Sequence, residues 1–133
     1  MFTLSIVTPE RIFFDGDIKS LVVPGTEGYL GILSNHAPLI TSLKNGKIEY
    51  RDESDKVRIL AITGGFLEVS DNRATVLADT VEAAEEIDLD RARSALERAQ
   101  ERLANLESTS DPERARRAIE RARNRIKVYK ETH

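Results

Sequence analysis

Cysteine is absent from this chain of 133 residues. That removes disulfides, thiolate metal ligands and thiol nucleophiles at once. Histidine is scarce. His133 is the last residue, and His36 lies in the loop Ser34-Asn35-His36-Ala37-Pro38. A zinc-type site needs three or four nitrogen or sulfur ligands, so no metal site is expected. No serine stands in a Gly-x-Ser-x-Gly setting, and no catalytic residue is expected. No apolar run approaches the roughly 18 residues of a membrane span, so direct insertion is not expected. The start, Met1-Phe2-Thr3-Leu4-Ser5-Ile6-Val7, lacks a charged leader and a cleavage site. The expected compartment is the cytoplasm of a prokaryote, or an organelle that makes its own copy. Basic residues alternate with acids and lack aromatic companions, which argues against nucleic acid.

Charge is plentiful and unevenly placed. Residues 1–86 carry 14 acidic against 8 basic side chains, and residues 87–133 carry 12 basic against 9 acidic. The two parts therefore face different partners, or each other.

The first part reads as strands. Phe2, Leu4 and Ile6 alternate with Thr3 and Ser5, the period of a half-buried strand. Asp15-Gly16 marks an expected turn between Ile12-Phe13-Phe14 and the run from Ile18 to Val23. Asn45-Gly46 is a two-residue hairpin signal. Asp52-Glu53-Ser54-Asp55 is a polar loop, and Asp71-Asn72 separates two further apolar runs. Roughly eight to ten short strands with regular turns indicate an antiparallel β-sandwich or flattened barrel over 1–86.

After Ile87 the period changes. Leu89, Ala92, Leu96, Ala99, Leu103 and Leu106 are spaced alternately three and four apart, the seam of one helix face. Asp88 is the expected N-cap. A stop is expected near Glu107, because Ser108-Thr109-Ser110 compete for backbone hydrogen bonds. Asp111-Pro112 restarts the helix, with Asp as cap and Pro in the first turn. Ala115, Ile119, Ala122, Ile126 and Tyr129 make the second seam. The result is an antiparallel two-helix hairpin over 87–133, each helix roughly 20 residues or ~30 Å long. Alanine fills about half of the seam. At roughly 0.8 kcal/mol per buried methylene it holds less firmly than a leucine seam. Such a hairpin is marginal alone and can change partners at modest cost.

Three constellations have site-like spacing. Gly25, Gly28 and Gly31 loosely resemble a phosphate loop, but no helix begins after them to supply amides. Tight turns or close backbone packing explain them instead. Gly64-Gly65 reads as a bulge or a close strand crossing. Arg121 and Arg125 share one face of the second helix, and Arg91 follows Asp88 by three. Folded against the strand-rich part near Glu82, these guanidiniums would suit a polyphosphate. The pattern alone fits ordinary seam-flanking charges on a solvated hairpin better.

Four segments in order carry a resemblance: Gly25-Thr26-Glu27-Gly28-Tyr29-Leu30-Gly31-Ile32-Leu33, Asn35-His36-Ala37-Pro38-Leu39, Gly64-Gly65-Phe66-Leu67-Glu68-Val69 and Thr75-Val76-Leu77-Ala78-Asp79. With the hairpin behind them, they resemble the epsilon subunits of bacterial F-type ATP synthases over the whole chain. The resemblance implies a non-catalytic rotor subunit of a proton- or sodium-translocating complex. It sits peripherally at the cytoplasmic face of the plasma membrane. The sandwich then docks on the gamma subunit and touches the c-ring, with Gly28, Tyr29, Leu30, Gly31 and His36 as rotor contacts. Tyr29 stands where many relatives carry a polar or acidic residue. The hairpin, when extended along gamma into the alpha/beta hexamer, inhibits ATP hydrolysis, its basic face meeting acidic segments of beta. Some relatives bind ATP through Ile/Leu-Asp-x-x-Arg-Ala, which Ile87-Asp88-Leu89-Asp90-Arg91-Ala92 matches. The resemblance thus implies ATP as a regulatory ligand, with Glu82, Asp88, Arg91, Arg121 and Arg125 as its site, and no required cofactor. The alternative is a free-standing nucleotide-responsive protein whose hairpin closes on ATP.

Overall fold

The computed structural model describes residues 1–105 and 111–133. The strands are β1 (Phe2–Val7), β2 (Ile12–Gly25), β3 (Gly28–Ile32), β4 (Leu39–Leu43), β5 (Gly46–Asp52), β6 (Val57–Thr63), β7 (Gly65–Ser70), β8 (Arg73–Leu77) and β9 (Thr80–Ala83). A single 3-10 turn, Ala84–Glu86, leads to α1 (Leu89–Ala104) and α2 (Pro112–Thr132). The architecture is an N-terminal β-sandwich followed by a two-helix region. The chain divides into two compact units, Met1–Ala83 and Ala84–His133. The 3-10 turn belongs with the helices because it packs on α2.

In the strand-rich unit, β2 joins the two layers. Its first half pairs with β1, and its second half pairs with β3 and β5. The path continues from β1 through β8 and β7 to β4 on one side, and from β5 through β6 to β9 on the other. One ladder, β1 with β8, is parallel. Leu4, Ile6, Ile18, Ile48, Ile62 and Leu67 are fully enclosed at the centre.

Two expected turns are not there. Asp15-Gly16 lies inside β2, where Asp15 pairs with Ser5 and Gly16 with Leu4. The glycine makes room for a ring, since a Cβ at Gly16 would lie 3.1 Å from Phe14 Cζ. Asn45-Gly46 does not close a hairpin, because β4 pairs with β7 while β5 pairs with β2 and β6. Neither residue takes the positive φ that a two-residue hairpin turn requires. The Asn45 side chain instead accepts the Gly64 N–H at 2.9 Å. A Cβ at Gly46 would lie 2.7 Å from Pro24 Cβ, so that glycine serves a close crossing.

Other turn signals are present as expected. Asp71 and Asn72 both take positive φ, 51° and 58°, and join β7 to β8. Gly64 and Gly65 also take positive φ, at a strand crossing so close that a Cβ on Gly65 would overlap the Leu77 carbonyl. In the polar loop, Asp52 accepts N–H bonds from Ser54 at 2.9 Å and Lys56 at 3.0 Å. Desolvation raises the Asp52 pKa, but those bonds and the Arg58 guanidinium outweigh it and hold it below the usual carboxylate range.

In the helical unit both caps form. Asp88 Oδ1 accepts the Arg91 N–H at 3.1 Å, and Asp111 Oδ1 accepts the Arg114 N–H at 3.0 Å. Pro112 opens α2, where its missing N–H costs nothing. Ala92 and Ala99 are buried along α1, and Ala115, Ile119 and Ala122 along α2. Leu106, the expected stop near Glu107 and the turn Ser108-Thr109-Ser110 lie outside the described residues. Asn124 and Val128 are also buried, although neither belongs to the expected seam. At about 100° per residue they lie on the far side of α2 from Ala115 and Ala122. The helix is thus buried on two sides, although Arg117 and Glu120 near its start share the side of Asn124 and are exposed there.

Candidate functional site

The outer edge at β3 carries the first set of candidates. β3 pairs with β2. Its strand period turns Leu30 and Ile32 inward and Tyr29, Gly31 and Leu33 outward. Tyr29 is 50% and Leu33 64% exposed. The Tyr29 hydroxyl accepts the Lys47 N–H at 3.4 Å, which ties this arm to the start of β5. The two glycines here differ in kind. Gly28 has φ 134° and opens β3 directly after the turn from β2, so its own chain requires it. Gly31 has ordinary φ, and a Cβ there would meet nothing within 4 Å. Among the described residues, no packing asks for a glycine at that exposed position. His36 follows in the next loop, half-buried, its Nδ1 donating to the Ala37 carbonyl at 2.7 Å.

A second surface was not singled out in the sequence. Phe66 on β7 lies directly across from Leu77 on β8 and Ser42 on β4. Ile40 shares the outer face of β4 with Ser42. These apolar side chains are 54%, 51% and 75% exposed for Phe66, Leu77 and Ile40. The run Phe66-Leu67-Glu68-Val69 contained the signal. Leu67 and Val69 share one face and are buried, so Phe66 shares the other with Glu68 and Ser70. An aromatic ring on the polar face of a strand is a contact surface in waiting.

The helical candidates fall into place individually. Ile87 and Ala92 are buried, at 5% and 0% exposure. Asp88 is the cap of α1. Three positions of the Ile-Asp-x-x-Arg-Ala pattern therefore build the helix start. Arg91 contributes its backbone N–H to the cap while its side chain is exposed. Arg121 and Arg125, half-buried, stand one turn apart on the flank joining the two buried sides of α2. Glu82 belongs to the other unit, on β9 opposite Ala61.

Residues 1–84 match the family described as ATP synthase, Delta/Epsilon chain, beta-sandwich domain. Residues 85–130 match its long alpha-helix domain. An ATP synthase epsilon chain of Pelotomaculum thermopropionicum is 55% identical over 101 residues, 76% of this chain and 75% of that one. One from Desulfitobacterium hafniense is 50% identical over 106 residues, 80% of each chain. Among solved structures, a chain of the Euglena gracilis mitochondrial ATP synthase has the same fold. It matches with a TM-score of 0.73 at 23% identity, over 97% of this chain and 79% of that one.

Proposed function

Because this chain belongs to the ATP synthase delta/epsilon family, as an epsilon chain, we propose that it is a non-catalytic rotor subunit with a regulatory hairpin. The strand-rich unit docks on the gamma subunit and reaches the c-ring. The hairpin restrains ATP hydrolysis by the alpha/beta hexamer, and ATP acts on it as a regulatory ligand. The subunit works peripherally, at the cytoplasmic face of the membrane. Among the described residues no helix is long and apolar enough to cross one.

The exposed Ile40, Phe66 and Leu77 face is the observation that carries the docking role. An aromatic ring flanked by two aliphatic side chains on an otherwise polar sheet face favours a gamma helix or strand laid across it. The surplus glycine, Gly31, supports a close approach by the c-ring at the β3 edge. Phe66→Ala is expected to weaken binding to gamma by about 1–2 kcal/mol without lowering the melting temperature. Calorimetric titration of the two subunits measures this, and unchanged affinity overturns the assignment of that face.

The hairpin role rests on the thin alanine seam and the basic excess of the helices. Charge pairs between these arginines and carboxylates of beta strengthen where water is excluded. Removing residues 87–133 is expected to raise ATP hydrolysis by the assembled enzyme several-fold, the change when an inhibited state populated at roughly 80% is abolished. A hydrolysis assay across ATP concentrations checks it, and an unchanged rate throughout counts against a regulatory hairpin.

A further inference from the structure

We infer that Asn72 is a positioning residue, whose side-chain amide sets the Leu33–Pro38 loop for rotor contact. Three segments distant in sequence meet on this residue. Its Oδ1 accepts the Asn35 N–H at 2.7 Å, and its Nδ2 donates to the Met1 carbonyl at 3.0 Å. Its own carbonyl accepts the Thr3 N–H at 3.2 Å. The pattern fixes the amide orientation, because a flipped amide would face donor to donor and acceptor to acceptor. It also distinguishes asparagine from aspartate, which has no donor for Met1.

The turn alone does not need this side chain. Asn72 has φ 58°, a conformation glycine takes as readily. The loop it holds has more at stake. That loop runs from β3, which pairs with β2, to β4, which pairs with β7 along its length and meets β2 at Gly25. Asn35, at its centre, is itself left-handed, with φ 61°. The next residue is His36, and the loop is bounded by the exposed Leu33 and by the start of β4 with Ile40. Pinning Asn35 therefore sets where His36 points and how β4 enters the apolar face.

This role rests on the docking reading above, and the experiment separates the two. Asn72→Gly keeps the left-handed turn and removes the staple. Asn72→Asp keeps an acceptor for Asn35 and loses the donor to Met1. Each full-length chain is titrated against a reconstituted gamma–c-ring rotor, and amide exchange at Asn35 and thermal melting are followed in parallel. Asn72→Gly is expected to bind roughly 3- to 10-fold more weakly and to exchange the Asn35 amide faster by a similar factor, the worth of one net hydrogen bond. Its melting transition should stay cooperative and fall by only a few degrees, and Asn72→Asp should recover most of the affinity. Equal affinity of Asn72→Gly and the unmodified chain overturns the positioning role alone. Failure of the unmodified chain to bind the rotor overturns the docking reading, and Asn72 then has no docking role to fill.

Discussion

Gly65→Ala is expected to abolish the cooperative unfolding transition of the strand-rich unit. The backbone there has φ 122°, which L side chains avoid, and a Cβ would lie 1.8 Å from the Leu77 carbonyl oxygen. Neither atom can yield alone. Gly65 pairs with Leu43, and Leu77 pairs with Val7 and Phe66, so separating them drags three ladders apart. Overpacking combined with a forbidden φ places the cost at about 4 kcal/mol or more, a large part of a small domain's stability. Gly31→Ala is the contrast, with open space at the Cβ position and ordinary φ. It should change stability by no more than about 0.5 kcal/mol. Denaturant melts of both variants check this. A Gly65→Ala chain melting like the unmodified one would mean the crossing is looser than described.

Arg121→Ala or Arg125→Ala is expected to weaken ATP binding by about 1.5–3 kcal/mol, the scale of a lost charge-assisted hydrogen bond. Both arginines stand half-buried on one flank of α2, where the surrounding helix limits solvent screening. In the proposed site they face phosphates together with Arg91. Arg114, exposed in the first turn of α2, is the control and should bind as the unmodified chain does. A ligand that favours one hairpin state shifts the population by its differential affinity. ATP titration followed with paired fluorophores on the hairpin therefore reads affinity and closure together. Equal affinities across all three variants would remove Arg121 and Arg125 from the site. Absence of closure in the unmodified chain at millimolar ATP would remove ATP sensing.

Most elements were legible because their signals are local. The Asp88 and Asp111 caps need only a carboxylate three residues before a free amide. The Asp71-Asn72 turn needs only two residues that tolerate positive φ. Asp15-Gly16 and Asn45-Gly46 carry turn chemistry too, but glycine has two uses and the local sequence does not separate them. One is conformational freedom. The other is the absence of a side chain where something else must pass, the Phe14 ring at Gly16 and Pro24 at Gly46. Pro24 reaches Gly46 from another strand, and Phe14, two residues before Gly16, lies over it only because β2 runs straight on through the expected turn as it pairs with β1.

The candidate site divides along the same line. Ile87, Asp88 and Ala92 were readable as a helix start because spacing along one helix determines which residues share a face. The sequence by itself therefore determined the division into strands and helices, the caps, the buried seam positions Ala92, Ala99, Ala115, Ile119 and Ala122, and the placement of Arg121 beside Arg125. Tertiary structure alone decided that β4 brings Ile40 to the face of Phe66 and Leu77, that Asn124 is buried and that Asn72 gathers Met1, Thr3 and Asn35. Strand order is the physical reason for the first and last of these. Contacts within a helix repeat every few residues, whereas β7 meets β4 and β1 meets β8 only after the chain has closed loops of tens of residues, and no short pattern encodes which strands those loops bring together.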